Sequence, residues 1–299
     1  MASKKYETPE AFKQALEQHL RKAVSGKGEA LAKRRQLVVF DRLLARIVHQ
    51  FKDHAMLKGG LVVELRLHRA RTTKDVDLRM TGSATGLLER LQKAGRIDLG
   101  DFMAFEVTEN RDNPEIVQEG MVYDGKRFRV ECRLAGKIYG SLFGLDIGFG
   151  DPIVSDPDEM KGDDLLKFAG IQPPMLRLYP IETHIAEKLH AYTMPRRNPN
   201  SRVKDLPDLA LLASVGSLDS AQLRKALKLT FEFRKVQPLP DKLPAPPEFW
   251  GPVYARMAKE DDLPWKTLAD VFEAAKDFLD PILAGKKVGA WSSKTWSWR

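Results

Sequence analysis

The stretch Leu57-Lys-Gly-Gly-Leu-Val-Val-Glu-Leu-Arg-Leu67, with Arg71-Thr-Thr-Lys-Asp-Val-Asp-Leu78 close behind it, decides how the rest of the chain is read. Two adjacent glycines, Gly59 and Gly60, stand where a short apolar segment (Ala55 to Leu57) gives way to helical spacing from Leu61 to Leu67. Glycines at the start of a helix leave backbone N–H groups unobstructed, and such a terminus favours phosphate oxygens. The segment Asp75-Val-Asp-Leu-Arg79 then alternates as a strand does. Residues i and i+2 of a strand share a face, so Asp75 and Asp77 are expected to project together, about 6–7 Å apart. Two like charges held together are costly without a cation. Hard oxygen donors in that arrangement suit Mg²⁺, which commonly shares its shell with substrate phosphates. Two such ions about 3.5–4 Å apart bracket the attacking and leaving oxygens of a phosphoryl displacement. Gly-Gly or Asp-x-Asp alone is common in chains of this size; the order glycines, short helix, acidic strand is not.

Upstream, Thr8 is placed to cap a helix carrying Ala11, Phe12, Ala15 and Leu16 on one face, with a stop at Gly26-Lys-Gly28. From Glu29 to Phe51 an apolar stripe of Leu37, Phe40, Leu44, Ile47, Val48 and Phe51 predicts a second, amphipathic helix. Arg35, Arg42, Arg46 and His49 fall on its other side, which is read as an electropositive or simply solvated face. Downstream, Gly86 to Ala94 reads as helix, and Arg127–Leu134 and Leu142–Phe149 alternate as two strands. Asp151-Pro-Ile-Val-Ser-Asp-Pro157 interrupts the pattern, and beyond it Ile181–Thr193, Val203–Ser214, Ala221–Arg234 and Leu263–Leu283 carry helical periodicity. Prolines 238, 240, 244, 246 and 247 impose an extended loop. The expectation is an α+β fold: residues 1–155 an α/β unit with N-terminal helices and a small mixed sheet, residues 156–299 a helical bundle, two lobes with a cleft.

Composition narrows the classes. The 299 residues hold 49 Lys+Arg against 41 Asp+Glu, a formal net charge of +8, and 43% are hydrophobic. That apolar share excludes disorder throughout. The single cysteine, Cys132, makes no internal disulfide, as reducing compartments require. There is no run of about 18 apolar residues, and MASKKYETPEAFKQAL carries no apolar segment behind its lysines. A cytoplasmic protein that engages no membrane is expected. The positive charge is uneven: residues 21–50 hold eight Lys and Arg against Glu29 and Asp41. Arg66, Arg69 and Arg71 precede the acidic strand, and Arg196, Arg197, Arg202 and Lys204 cluster further on. Such a distribution suits a phosphate backbone. The C-terminus sets Trp291, Trp296 and Trp298 among Lys286, Lys287, Lys294 and Arg299, residues that either stack on a single-stranded end or fold back onto the bundle.

Lys58-Gly59-Gly60 with Arg71-Thr-Thr-Lys-Asp-Val-Asp-Leu78 resembles the first motif of the AbiEii/AbiGii toxin family, within the polymerase-β-like nucleotidyltransferase superfamily. Glu182-Thr-His-Ile-Ala-Glu-Lys-Leu-His-Ala191 resembles that family's A-x-K-L-x-A helix, and Arg202-Val-Lys-Asp-Leu-Pro-Asp-Leu209 its R-x-K-D-x-x-D-L segment. Leu145-Asp-Ile-Gly-Phe-Gly-Asp-Pro152 looks like the strand supplying a third acidic residue. Four motifs in order span roughly residues 55 to 210.

The resemblance implies Mg²⁺-dependent transfer of a nucleoside monophosphate from an NTP. In relatives similar to the mycobacterial MenT-type toxins the acceptor is the 3′ end of tRNA, which blocks translation, and a cognate antitoxin is the partner. It implies that Asp75 and Asp77 hold two Mg²⁺ ions, that Lys188 holds the triphosphate and that Asp208 is essential, the last two reaching the cleft from the helical half. Gly59 and Gly60, with Lys58, would face the phosphates. Asp146 is the expected third metal carboxylate, with Asp151 and Glu131 as alternatives. Arg202 and Arg234 are candidates for reaching a phosphate, and Thr73, with Thr72, for touching one through a hydroxyl. From the residues alone, Lys188 equally suits a lysine snorkelling from the core edge, and one of Asp205 and Asp208 suits pairing with Lys204 or Arg202. His190 is expected to be packed. Two further readings stay open: a nucleotidyltransferase modifying protein hydroxyls, and a catalytically silent nucleotide- or RNA-binding protein.

Overall fold

Thr8 caps the first helix, α1 (Pro9–Ala23), its side chain accepting a hydrogen bond from the Ala11 N–H at 3.2 Å, while Phe12, Leu16 and Leu20 are buried. The computed structural model describes residues 5–24, 28–67, 73–116, 125–150, 152–196 and 202–299. The first part of the chain continues through α2 (Gly28–Phe51), β1 (Ala55–Lys58), α3 (Gly60–Leu67), β2 (Val76–Met80), α4 (Leu87–Gly95) and β3 (Met103–Glu109). It goes on through β4 (Gly125–Leu134), β5 (Lys137–Ile138), β6 (Phe143–Phe149), β7 (Asp158–Lys161) and β8 (Met175–Leu178). The remainder is α5 (Ile181–Thr193), α6 (Asp205–Ala213), β9 (Ser217–Asp219), α7 (Ser220–Arg234), α8 (Gly251–Glu260), α9 (Leu268–Leu283), β10 (Ala290–Ser292) and β11 (Ser297–Trp298).

The first sheet is mixed, in the order β3-β4-β6-β2-β1-β8-β7, with β5 beside β4. Its strands alternate as the sequence does. Val76, Leu78 and Met80 of β2 and Leu145, Ile147 and Phe149 of β6 are buried, as are Phe128, Val130, Cys132 and Leu134 of β4. Residues of the opposite parity therefore face the other way. The parallel pairing of β2 with β6 sets Asp77 beside Asp146, and antiparallel β4 sets Arg127 beside Asp146. Antiparallel β1 sets Lys58 beside Asp77. One transverse row thus reads Arg127, Asp146, Asp77, Lys58.

Two expectations change here. The polar side of α2 is not an electropositive surface: Arg42 and Arg46 are 2% and 0% exposed. Both guanidinium groups bond to Asp101, Arg42 through Nε at 2.7 Å and Arg46 through Nη1 and Nη2 at 2.8 and 2.7 Å. Arg46 also donates to the Met103 carbonyl at 2.6 Å. Arg35 meets Glu17 of α1 bidentately, at 2.8 and 2.7 Å. Helical periodicity places these arginines on one face but does not reveal that a buried carboxylate and α1 cover it. Second, Asp151–Pro157 does not mark the change of core. After it the chain returns to the sheet as β7 and β8, β8 running parallel to β1, and Leu166, Ala169, Leu176 and Leu178 join the first core. The second core begins at Ile181 and is built from α5 to α9, with Val63 of α3 reaching into it.

The C-terminal tryptophans fold back. β10 lies between β9 and β11, and the Trp291, Trp296 and Trp298 indoles donate to the carbonyls of Ala213, Ala274 and Phe278 at 2.8, 3.1 and 2.8 Å. An indole so engaged has its one donor satisfied and its ring packed, as Trp291 and Trp298 do on Phe278. No helix among the described residues is long and apolar enough to cross a membrane.

Candidate active site

The β1–α3 turn is shaped around a carboxylate. Gly59 has φ +74°, and a Cβ built there would lie 1.9 Å from Asp77 Oδ2 and 2.6 Å from its Cγ. Only glycine permits both the left-handed backbone and the close approach of Asp77. Gly59→Ala is accordingly expected to push Asp77 out of place, lowering activity about 100-fold and stability by about 1–3 kcal/mol. Steady-state rates and thermal melts of the variant check both.

Around this turn opens a cavity of about 320 Å³, lined on the sheet side by Lys58, Gly59, Gly60, Thr73, Asp75, Asp77, Arg127 and Asp146. Its other side is formed by His184, Glu187, Lys188, Arg202 and Arg234. Asp75 is exposed and accepts from the Gly144 N–H at 3.0 Å, so β6 fixes one of its oxygens. The Asp77 backbone is held in the sheet between β1 and β6, and its carboxylate makes no hydrogen bond with the described residues. Burial pushes its carboxyl up to about 6, with Asp146 and Asp75 adding to the rise and Lys58 and Lys188 opposing it. Burial also raises Asp146, against the pull of Arg127, whose Nε donates to Oδ2 at 3.1 Å.

The helical side is cationic but internally balanced. Lys188 Nζ stands 2.8 Å from Asp208 Oδ2 and 3.1 Å from Asp205 Oδ1. Arg202 also binds Asp205, at 2.5 and 3.2 Å. Lys58 Nζ is 3.3 Å from Glu187 Oε2, and Arg234 Nη2 is 3.1 Å from Glu187 Oε1.

Ten of the candidate residues therefore meet in one place. Asp208 does not line the cavity; 1% exposed, it reaches it through Lys188. His190 is buried, edge-on to Phe231 at 4.9 Å. Glu131 pairs with Arg133 at 2.6 Å, outside the lining, whereas Asp146 lines the cavity beside Asp77. Asp151, Thr72, Arg69, Arg71 and Arg197 lie outside the described residues.

Among the lining residues that the sequence reading does not single out are Arg127, Glu187 and His184. Arg127 is visible only through the strand pairing, because nothing local distinguishes it from other strand arginines. Glu187 adjoins Lys188 in sequence, but its partners come from β1 and α7. His184, one helical turn before Lys188 on the same face, was within reach of the periodicity argument. It is 2% exposed, neither ring nitrogen has a hydrogen-bond partner among the described residues, and burial, reinforced by Lys188, lowers its pKa to about 3, so it is neutral.

The donor set suits a hard divalent cation. Asp77 has both oxygens uncommitted, and Asp75 and Asp146 each use one in the bonds above. Among the described residues, however, no group of three or more acidic, His or Cys side chains is placed to hold a metal ion by itself.

The family described as nucleotidyl transferase AbiEii toxin, of type IV toxin–antitoxin systems, matches residues 42–278. Among solved structures, MenT4, a nucleotidyltransferase toxin from Mycobacterium tuberculosis H37Rv, is 16% identical, with 94% of this chain and 92% of that one covered and a TM-score of 0.58. A putative nucleotidyltransferase from H. pylori is 17% identical, with 86% and 98% covered and a TM-score of 0.42. No curated protein matches the chain in sequence. The likeness to MenT4 is one of fold, along nearly the whole length of both chains.

Proposed function

The chain belongs to the AbiEii nucleotidyltransferase toxin family, and from that premise we propose that it transfers a nucleoside monophosphate from an NTP to the 3′ end of a tRNA. The observation that carries the reading is the meeting, in one cavity, of the carboxylates Asp75, Asp77 and Asp146 with the cations Lys58, beside them on the sheet, and Lys188, Arg202 and Arg234, on the other side. Such an arrangement separates two jobs. The cations and the Gly59–Gly60 turn receive the triphosphate, and the carboxylates stand at the α-phosphorus. Mg²⁺, when bound, would be held by Asp75 and Asp77 with Asp146 beside them, and would supply charge neutralisation to the attacking and leaving oxygens. The acceptor hydroxyl oxygen bonds to the α-phosphorus, its proton passes to Asp75, and the bond to the bridging oxygen breaks. Pyrophosphate leaves along Lys188 and Arg202, whose positive charge stabilises it.

The RNA acceptor rests on the rim and not on α2. Lys74 and Lys204 line the cavity and are exposed, so a phosphate backbone approaching the carboxylates meets them first. The +8 net charge agrees in sign. A cytoplasmic setting supplies both NTP and tRNA, and a cognate antitoxin completes the pair that a toxin of this type requires.

Incubation with each of four labelled NTPs and total RNA, with and without Mg²⁺, tests the reading. Label in RNA of tRNA size, dependent on Mg²⁺, is the expected result. Label on protein with none on RNA would replace the acceptor by a protein hydroxyl, and nucleotide binding without any transfer would make the chain a silent binder.

A further inference from the structure

Glu187 is an unexpected residue to find facing a triphosphate site. Its carboxylate lines the same cavity as Lys188, where its charge repels phosphate. Three groups from different elements nonetheless converge on it. Lys58 comes from the end of β1, 3.3 Å from Oε2; Arg234 comes from the end of α7, 3.1 Å from Oε1; and the Tyr179 hydroxyl donates to Oε1 at 2.8 Å. The side chains of Glu187, Lys58 and Arg234 are 15%, 14% and 6% exposed, so water screens the contacts weakly. Lys58 also lies 5.5 Å from the centre of the Tyr179 ring, which holds the ammonium from a second side.

We propose that Glu187 is a positioning residue: it joins the β1 cation Lys58 to the α7 cation Arg234 so that both are preset to receive the triphosphate of the NTP. The proposal rests on the nucleotide site assigned above. The two cations lie 176 positions apart in sequence, on different cores. Without a shared anion they would repel each other, and the substrate would have to draw them together when it binds. One carboxylate between two cations leaves the trio with a net charge of +1. It fixes their directions in advance and so removes an ordering cost from substrate binding. Tyr179 restrains the carboxylate in turn, since its backbone N–H is bonded to the Leu57 carbonyl at 2.9 Å, next to Lys58.

Simple Coulomb reasoning and the positioning role predict opposite signs for Glu187→Gln. Removing a negative charge beside phosphates should tighten NTP binding if charge alone matters. If Glu187 positions the cations, the amide keeps the shape and a Tyr179 hydrogen bond but has no charge with which to hold Lys58 and Arg234 together, and NTP binding weakens. The experiment measures equilibrium binding of an NTP and of the corresponding NMP to full-length wild type and Glu187→Gln, together with KM and kcat for the NTP and a thermal melt. The expected result is an NTP Kd and KM raised about ten-fold, with NMP binding unchanged because the NMP does not reach the pair. Unchanged or tightened NTP binding overturns the proposal. Equal losses for NTP and NMP also overturn it, since they indicate general damage to the pocket. Wild-type protein that binds no NTP contradicts the nucleotide-site reading itself, a result separate from any difference between the two proteins.

Discussion

Asp75→Ala is expected to lower the transfer rate by at least about 10³-fold, the equivalent of several kcal/mol of lost stabilisation at the attacking oxygen. Its melting temperature should stay close to that of the wild type. Asp75 is exposed, and its one hydrogen bond with the described residues is accepted from the Gly144 N–H, so its removal strands no buried charge. Lys188→Ala is the less informative variant, although the same motif reasoning selects it. It would leave Asp208, 1% exposed, and Asp205, 2% exposed, without the ammonium they share. Breaking a buried pair from one side costs about 3–5 kcal/mol, so loss of activity would be mixed with loss of fold. A rate assay and a melt run side by side on both variants separate the effects: Asp75→Ala inactive and stable, Lys188→Ala inactive and destabilised.

An equally large effect on stability is expected far from the cavity. Arg46→Ala should destabilise the protein by about 3–5 kcal/mol, lowering the melting temperature by roughly 10 °C. Arg46 and Asp101 are both 0% exposed, and Arg46 supplies two of the bonds that hold the Asp101 carboxylate, with Arg42 supplying another. The arginine also closes the Met103 carbonyl, so its loss leaves a buried acceptor open as well. Arg21→Ala is the contrast. Its 3.9 Å pair with Glu17 involves a side chain 65% exposed, and its loss should cost less than about 1 kcal/mol. Acid gives a further check. Burial alone would raise Asp101, but the hydrogen bonds and charge of Arg46 and Arg42 win and hold it below its ordinary 3.8. A depressed carboxyl stabilises the fold above its unfolded pKa, and that contribution is lost as pH falls through the folded value. The gap between wild type and Arg46→Ala should therefore narrow below about pH 4.

These two predictions also show what could be read from the sequence and what could not. Local patterns carried well: the glycine turn, the short helix after it, the Asp-x-Asp strand and the alternation of β4 and β6 all rest on neighbours within a few residues. The motifs also carried Lys188 and Arg202 to the cavity, because family spacing encodes tertiary position that periodicity does not. Relations between distant segments were not legible. The face of α2 bearing Arg42 and Arg46 looks the same in a helical projection whether solvent or Asp101 lies opposite. The return of β7 and β8 to the first sheet is hidden because four-residue strands such as Met175–Leu178 are too short to show a period. Arg127 and Glu187 belong to the cavity only through the pairing of β4 with β6 and the meeting of β1, α5 and α7. Aromatic-plus-basic composition at the C-terminus is equally compatible with stacking on RNA and with packing. The three indole hydrogen bonds to α6 and α9 show that it packs.

Which phosphorus moves, and where it goes, decides between nucleotidyl transfer and every other reaction of an NTP. Purified protein should be given NTP labelled at either the α- or the γ-phosphate, with Mg²⁺ and either intact tRNA or tRNA whose 3′-terminal diol has been oxidised with periodate. The expected result is α-label on intact tRNA, none from the γ-position, none on oxidised tRNA, and none with Asp75→Ala. Label arriving from the γ-phosphate, or α-label incorporated equally by oxidised tRNA, would contradict it.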